Sequence, residues 1–189
     1  MNEADPKHIE ELIRRARLGD SEAFSVLYEA YFTPLYRYVY FRVSDESDAA
    51  DLTQETFLKA YQSFPRYVSS GRSPLAFFYT VARNCIIDHY RKKKTVRADD
   101  EVFDSIPDEA MSAEVAAAMK EDGRSLREKI ALLPQDQQDA IVLRFIDGLP
   151  SAEIATIMGK SEVAVRQMQS RGLRVLRGMM KKEVASESI

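Results

Sequence analysis

Apolar positions recur along this chain at three- and four-residue steps, and no stretch sustains the alternation of a half-buried strand. The pattern predicts an all-α protein. Pro6 after Asp5 opens a first helix, and Gly19 is placed to end it. Asp20 then caps a long segment from about residue 21 to 43, in which Phe24, Leu27, Tyr28, Tyr31, Leu35, Tyr38 and Val39 form a stripe for burial and Pro34 should introduce a kink. A polar turn over residues 44–47 precedes a third helix, about 48–64, with Asp48 as its capping acid and Phe57, Ala60, Tyr61 and Phe64 as its core face. Pro65 and Gly71 bracket a loop, and Ser73-Pro74 opens a fourth helix to about residue 94. Residues 95–122 carry apolar periodicity only over a short stretch near 114–120. A second helical unit begins near Ser125, and within it a helix starting close to Asp136 ends at Asp147-Gly148.

The segment from Leu149 to Arg166 is the most specific local signal. Ser151 caps a short helix, Gly159 supplies a tight turn, and Ser161 caps a longer helix, which together make a helix-turn-helix. In the second helix Val165, Met168, Gly172, Leu176 and Met179 share an inward face, while Glu162, Arg166, Gln169 and Arg174 point away. Side chains at the start of such a helix can reach base edges in a major groove, and arginines further along can neutralise phosphates.

Charge changes the picture through its placement. The net charge of −3 argues against a nucleic-acid binder, yet the basic residues cluster. One cluster is Arg91-Lys92-Lys93-Lys94 with Arg97; the other holds Arg166, Arg171, Arg174, Arg177, Lys181 and Lys182. Between them, residues 99–122 hold nine acids against Lys120 alone. The expected organisation is therefore two small helical domains joined flexibly by an acidic linker: residues 1–94, linker 95–122, a helix-turn-helix domain 123–182 and a tail 183–189. The single cysteine, Cys85, reads as a small buried residue and offers neither a disulfide nor a zinc site. His8 and His89 are the only histidines, and no phosphate-binding glycine loop or nucleophile motif is present, so the expectation is no enzyme, no metal and no cofactor. No apolar run approaches the length of a membrane span, and the polar start of the chain does not read as a signal peptide, which suggests a cytoplasmic protein.

Two further surfaces stand out. On the third helix Asp51, Gln54, Glu55, Leu58 and Gln62 form a stripe opposite the core face, mixing acids, amides and an exposed leucine in a way that suits a partner. On the fourth, Phe77, Phe78 and Tyr79 precede Arg83, Asn84 and Arg91; aromatics beside a basic tip can stack and neutralise single-stranded DNA, although the aromatics themselves read more readily as core.

Three motifs now stand in order: an Asp-Leu-x-Gln-Glu-x-Phe-Leu helix, an Ala-Arg-Asn-x-x-Ile-Asp-x-x-Arg helix and the terminal helix-turn-helix. Over about residues 20–94 and 124–178 they resemble a bacterial extracytoplasmic-function sigma factor, with regions two and four and only a linker between them. The resemblance implies that Asp51, Gln54, Glu55 and Leu58 dock the clamp helices of core RNA polymerase, with region four on the flap. It implies that Ser69, Ser70 and Arg72, with Gly71 between them, engage the melted minus-ten strand together with Arg83, Asn84, Arg91 and Lys92. Ser161, Glu162, Arg166, Gln167, Ser170, Arg171 and Arg174 would face the minus-thirty-five duplex. An anti-sigma partner is implied as well, and the acidic linker would enter the polymerase's nucleic-acid channel. The sequence departs from the family in two places. Phe77 stands where a tryptophan is usual, and the recognition helix follows a variant with Gln169 and Leu173. The competing reading is a helix-turn-helix regulator that works without polymerase; it gives no task to the Asp51–Gln62 stripe.

Overall fold

The computed structural model describes residues 6–67, 73–96 and 121–186, and among these every regular element is helical. Helix α1 (Pro6–Arg17) begins at its proline, whose missing N–H costs nothing in a first turn. Gly19, at φ +88°, turns the chain. Asp20 then caps α2 (Ser21–Arg42), accepting from the Glu22 and Ala23 backbone N–H groups at 3.0 and 3.1 Å. Pro34 lies inside α2, and Phe24, Leu27, Leu35, Tyr38 and Val39 are buried as the stripe requires. Helix α3 (Glu46–Ser63) is capped by Asp45, which accepts from the Ser47 N–H at 2.7 Å. The expected cap, Asp48, sits inside the first turn and faces His89 and Lys93 of α4 (Pro74–Val96) at 3.4 and 3.3 Å. A single 3₁₀ turn, Phe64–Arg66, closes α3.

These helices surround an aromatic core. Phe24, Phe57, Phe64 and Phe78 meet with ring centroids 5.6–6.2 Å apart in edge-on and tilted contacts. Tyr61 was expected there too but is 41% exposed: only one side of its ring is covered, edge-on against Phe24 at 4.9 Å.

The second block holds α5 (Glu121–Ala131), α6 (Gln135–Ile141), α7 (Ser151–Met158) and α8 (Glu162–Ser186). The expected helix from Asp136 to Asp147 is α6 continued by one π turn, Val142–Ile146, and Gly148 at φ +77° ends it. Ser151 was expected to cap α7, but Pro150 occupies the cap position and the Ser151 hydroxyl instead donates to Gln169 Oε1 at 3.3 Å. The turn itself is as expected: Gly159 is left-handed at φ +62°, and Ser161 Oγ accepts from the Ala164 N–H. Gly172 lies where α8 crosses α6, so close that a Cβ there would stand 2.8 Å from Ile141 Cγ1.

Among the described residues the two blocks touch, and the expected linker over 95–122 lies almost wholly outside those residues. In this structure α5 and the π turn pack on α2, and α7 packs on α4. The short-helix stretch near 114–120 and the Asp5 cap lie outside the described residues.

Candidate polymerase and nucleic-acid interfaces

On α3 the helical repeat separates two faces cleanly. Leu52, Thr53, Thr56, Phe57 and Ala60 are buried, whereas Asp51, Gln54 and Gln62 are exposed and Glu55 is half-buried. Leu58, between them, is 58% exposed, an apolar side chain held in water by the fold and available to a partner. Glu55 is paired with Lys59 one turn on, at 2.7 Å. The outward stripe is therefore present as expected.

On α4 the aromatics divide. Phe78 and Tyr79 are buried and Phe77 is partly covered, packed against Phe64 and Tyr67. Cys85 is buried, and burial pushes its thiol above the usual range. Asn84 and Lys92 are exposed; Arg91 is exposed and pairs with Asp88 at 3.1 Å. Arg83 is the least exposed of the four. Its side chain is only 16% exposed, and it donates from Nε to Asp139 at 2.8 Å and from Nη2 to Asp136 at 2.9 Å, both on α6. Burial, the largest single influence, opposes its charge, but Asp139, through charge and hydrogen bond, together with Tyr38 and Asp136 outweighs it and raises the pKa. In this arrangement Arg83 faces the second block. Ser69, Ser70, Gly71 and Arg72 lie outside the described residues.

The outward face of α8, expected to read DNA, is open. Arg166, Gln167, Ser170, Arg171 and Arg174 are exposed, with Ser161 at the helix cap, while Val165, Gly172 and Leu176 are buried. Arg166 is engaged by Glu162 in an exposed i,i+4 pair. Gln169 was expected to point outward but is 8% exposed. It lies one turn beyond Val165 and three residues before Gly172, inside the buried stripe, and its Oε1 takes the Ser151 hydroxyl. The residues expected to face the duplex ended at Arg174, although the basic cluster in the sequence runs on through Arg177, Lys181 and Lys182. Ser170, Arg174, Arg177, Gly178 and Lys181 line one shallow groove, so Arg177 and Lys181 extend the basic face by two turns. Their three- and four-residue spacing was the available signal.

A third set of residues was not anticipated as a site. Asp139, at the seam, accepts from Tyr38 at 2.7 Å and Arg42 at 2.5 Å as well as from Arg83. Asp147 accepts from Arg37 at 2.7 Å, and burial drives its carboxyl up to about 6 against that arginine's opposing pull. Tyr79, which faces Asp147, is likewise raised by burial. Among the described residues no group of three or more His, Cys, Asp or Glu side chains is disposed to hold a metal ion. No helix among them is long and apolar enough to cross a membrane.

A first block with a mixed acidic and apolar stripe on α3, a second block with an exposed helix of a helix-turn-helix, and the absence of strands among the described residues define a two-block helical protein. The Sigma-70 region 2 family model matches residues 27–96, and the Sigma-70, region 4 model matches residues 123–176. The chain is 35% identical to the ECF RNA polymerase sigma factor BldN of Streptomyces coelicolor over 176 residues, 92% of this chain and 66% of that protein. It is 31% identical to the ECF RNA polymerase sigma factor SigX of Bacillus subtilis, covering 84% of each. Among solved structures, CnrH in complex with the cytosolic domain of CnrY superposes with a TM-score of 0.70 at 21% identity, covering 93% of this chain and 98% of that one. The sigma factor RpoE in complex with the anti-sigma factor NepR from Bartonella quintana superposes at 0.69 and 23% identity, covering 84% and 96%. At those identities the structures establish the fold. The chain belongs to the extracytoplasmic-function RNA polymerase sigma factors.

Proposed function

We propose that this chain reads promoters for core RNA polymerase through three separate surfaces and carries out no catalytic chemistry of its own. Residues 1–94 form region two, 95–122 the linker, 123–182 region four and 183–189 a tail. Asp51, Gln54, Glu55 and Leu58 dock the polymerase clamp helices, and region four docks the flap. Asn84, Arg83, Arg91 and Lys92, with Ser69, Ser70 and Arg72, engage the melted minus-ten strand. Ser161, Glu162, Arg166, Gln167, Ser170, Arg171 and Arg174 engage the minus-thirty-five duplex, and Arg177 and Lys181 extend that contact along the backbone.

The observation that carries this reading is the outward stripe of α3. A leucine 58% exposed between Asp51, Gln54 and Glu55 is a poor choice for a solvated face and a good one for a protein partner. A regulator acting on duplex DNA alone needs the helix-turn-helix and has no use for this stripe. The CnrH and RpoE structures contain CnrY and the anti-sigma factor NepR, which supports an inhibitory partner of that kind for this chain. The working compartment is then the cytoplasm, where polymerase is.

The experiment is reconstitution. Purified chain is mixed with core polymerase, separated by gel filtration and used in run-off transcription on fragmented genomic DNA. Co-elution and discrete start sites are expected. Failure to co-elute with core, combined with sequence-specific duplex binding by the chain alone, would transfer the assignment to the polymerase-independent regulator.

A further inference from the structure

Helix α8 presents one line of side chains straight away from the body of the second block. Its buried line holds Val165, Gly172 and Leu176, and Gly172 sits against Ile141 of α6. At about 100° per residue, position 163 stands almost opposite Gly172, on the far side of the helix. Ser170 and Arg174 lie within about 20° of that outward line, Gln167 and Arg177 within about 40°, and Lys181 directly along it. All of them are exposed. Arg166 stands about 60° to one side, where Glu162 engages it in the i,i+4 pair. The outermost side chain of the first turn is therefore Val163, which is 64% exposed.

A valine in that place is unlike its neighbours. Gln167, Ser170, Arg174, Arg177 and Lys181 can all bond to phosphates or base edges, and Val163 is the one apolar side chain among them. A lone side chain ringed by polar ones is a poor footing for a protein partner, because such footings are contiguous apolar patches. The start of a recognition helix is also the part that reaches base edges in a major groove. On that floor the base edges present donors and acceptors, with one apolar group, the C5-methyl of thymine. Over a polar edge, a valine would cover a donor or acceptor without replacing its bond to water. Over a thymine it sets methyl against methyl. A helix also holds a β-branched side chain in one strongly preferred χ1 rotamer, so little freedom is lost on contact.

The geometry points to Val163 as a specificity-determining residue that selects a T·A pair through the thymine methyl, between the polar readers Arg166 and Gln167. The inference rests on the reading of α8 as the helix that reads duplex DNA. It holds whether or not polymerase accompanies the chain.

The test begins with the full-length chain assembled with core polymerase, which enriches preferred duplexes from a randomised pool; should core not bind, the chain is used alone. The enriched duplex is the probe. Each thymine of its upstream element is replaced singly by deoxyuridine, which keeps every hydrogen bond of the pair and removes only the methyl. At one position the replacement should weaken binding about 3- to 5-fold, the scale of one methyl group returned to water. Val163→Ala should bind the thymine and uracil forms of that position alike, and Val163→Ile should keep the discrimination. At every other position the three proteins should respond to uracil in the same way. Thermal melting of Val163→Ala should match the wild type, since the side chain lies outside the core. The absence of a uracil-sensitive position, or a sensitivity that survives in Val163→Ala, overturns the inference and leaves the duplex reading of α8 standing. A pool that yields no preferred duplex under either condition overturns the duplex reading and the inference with it.

Discussion

Replacing Asp147 with asparagine should make the fold less sensitive to pH between 5 and 8, and the structure sets the size of the effect. Asp147 has no exposed side-chain surface, and only its Oδ1 is paired, with Arg37 at 2.7 Å. Its Oδ2 faces the equally buried Tyr79 hydroxyl, and neither atom has a well-formed hydrogen bond. Burial raises the carboxyl from 3.8 to about 6, although Arg37 and the Tyr79 hydroxyl both favour the carboxylate. Because the folded value lies above the unfolded one, the folded state binds more protons between them. The stability this group contributes is complete below 3.8 and is lost as pH rises through about 6. At 1.36 kcal/mol per pH unit the whole loss has a ceiling of about 3 kcal/mol, of which about half falls between pH 5 and 8. Asparagine does not titrate, so it removes this pH dependence and gives up the Arg37 ion pair by a constant amount. Urea unfolding of both proteins at pH 5, 6, 7 and 8, at fixed ionic strength, isolates the term, since every other titrating group cancels in the difference. The wild type should lose about 1–1.5 kcal/mol relative to Asp147→Asn across that range. A difference that stays flat within about 0.3 kcal/mol would refute the reasoning.

Other outcomes follow from the remaining surfaces. Asp51→Lys/Glu55→Lys should abolish co-elution with core polymerase while leaving far-UV circular dichroism unchanged, because both residues lie off the core face of α3; wild-type affinity would remove the docking assignment. In holoenzyme, Arg166→Ala should weaken recognition of the upstream element by about 1–3 kcal/mol and relax base preference at one position, whereas Arg174→Ala should weaken all sequences alike and lower the salt slope by about 1; identical profiles for the two would contradict the division into base and phosphate contacts. Asn84→Ala should slow promoter opening, read by permanganate footprinting, with upstream duplex binding unaltered; an equal loss on the upstream duplex would contradict its place at the melted strand. Gly172→Val should cost about 1–3 kcal/mol by thermal melting, since its Cβ meets Ile141 Cγ1 at 2.8 Å; a neutral result would show that α6 and α8 can part freely.

Local chemistry made most of the helices legible. Asp20, Pro74, Gly159 and Ser161 each act through their immediate neighbours, so their effects are written within four residues of sequence. The same proximity explains the misplacements. Asp45 and Asp48 are both acids near the start of α3, and only the backbone conformation at Asp45 decides which one caps. Ser151 looked like a cap because it begins a helix, but Pro150 before it already holds that position in an extended conformation. Gln169 was misassigned by its chemistry. An amide on the i+4 step from Val165 lies on the buried face whatever its polarity, and the Ser151 hydroxyl offers it a partner there.

The seam was hidden for a different reason. Tyr38 and Arg42 are one turn apart on a stripe of otherwise apolar residues, and a charge inside such a run marks a buried partner without naming it. The partner is Asp139, about a hundred positions along the chain and in the other block, where it ends a polar stretch just before Ala140 and Ile141. Nothing local connects the two. The relation also runs opposite to the charge map, which placed the acids that matter in residues 99–122 and read the second block as basic. That block is indeed basic on the outer face of α8, but it presents Asp136, Asp139 and Asp147 toward the first block. One helical unit thus carries arginines on the face assigned to DNA and carboxylates on the face that meets the first block. Both can be true at once because residues on opposite sides of a small helical block are shielded from each other beyond roughly 8–10 Å of water and salt. A net charge of −3 is therefore compatible with a promoter reader: part of the negative charge is spent against the chain's own arginines.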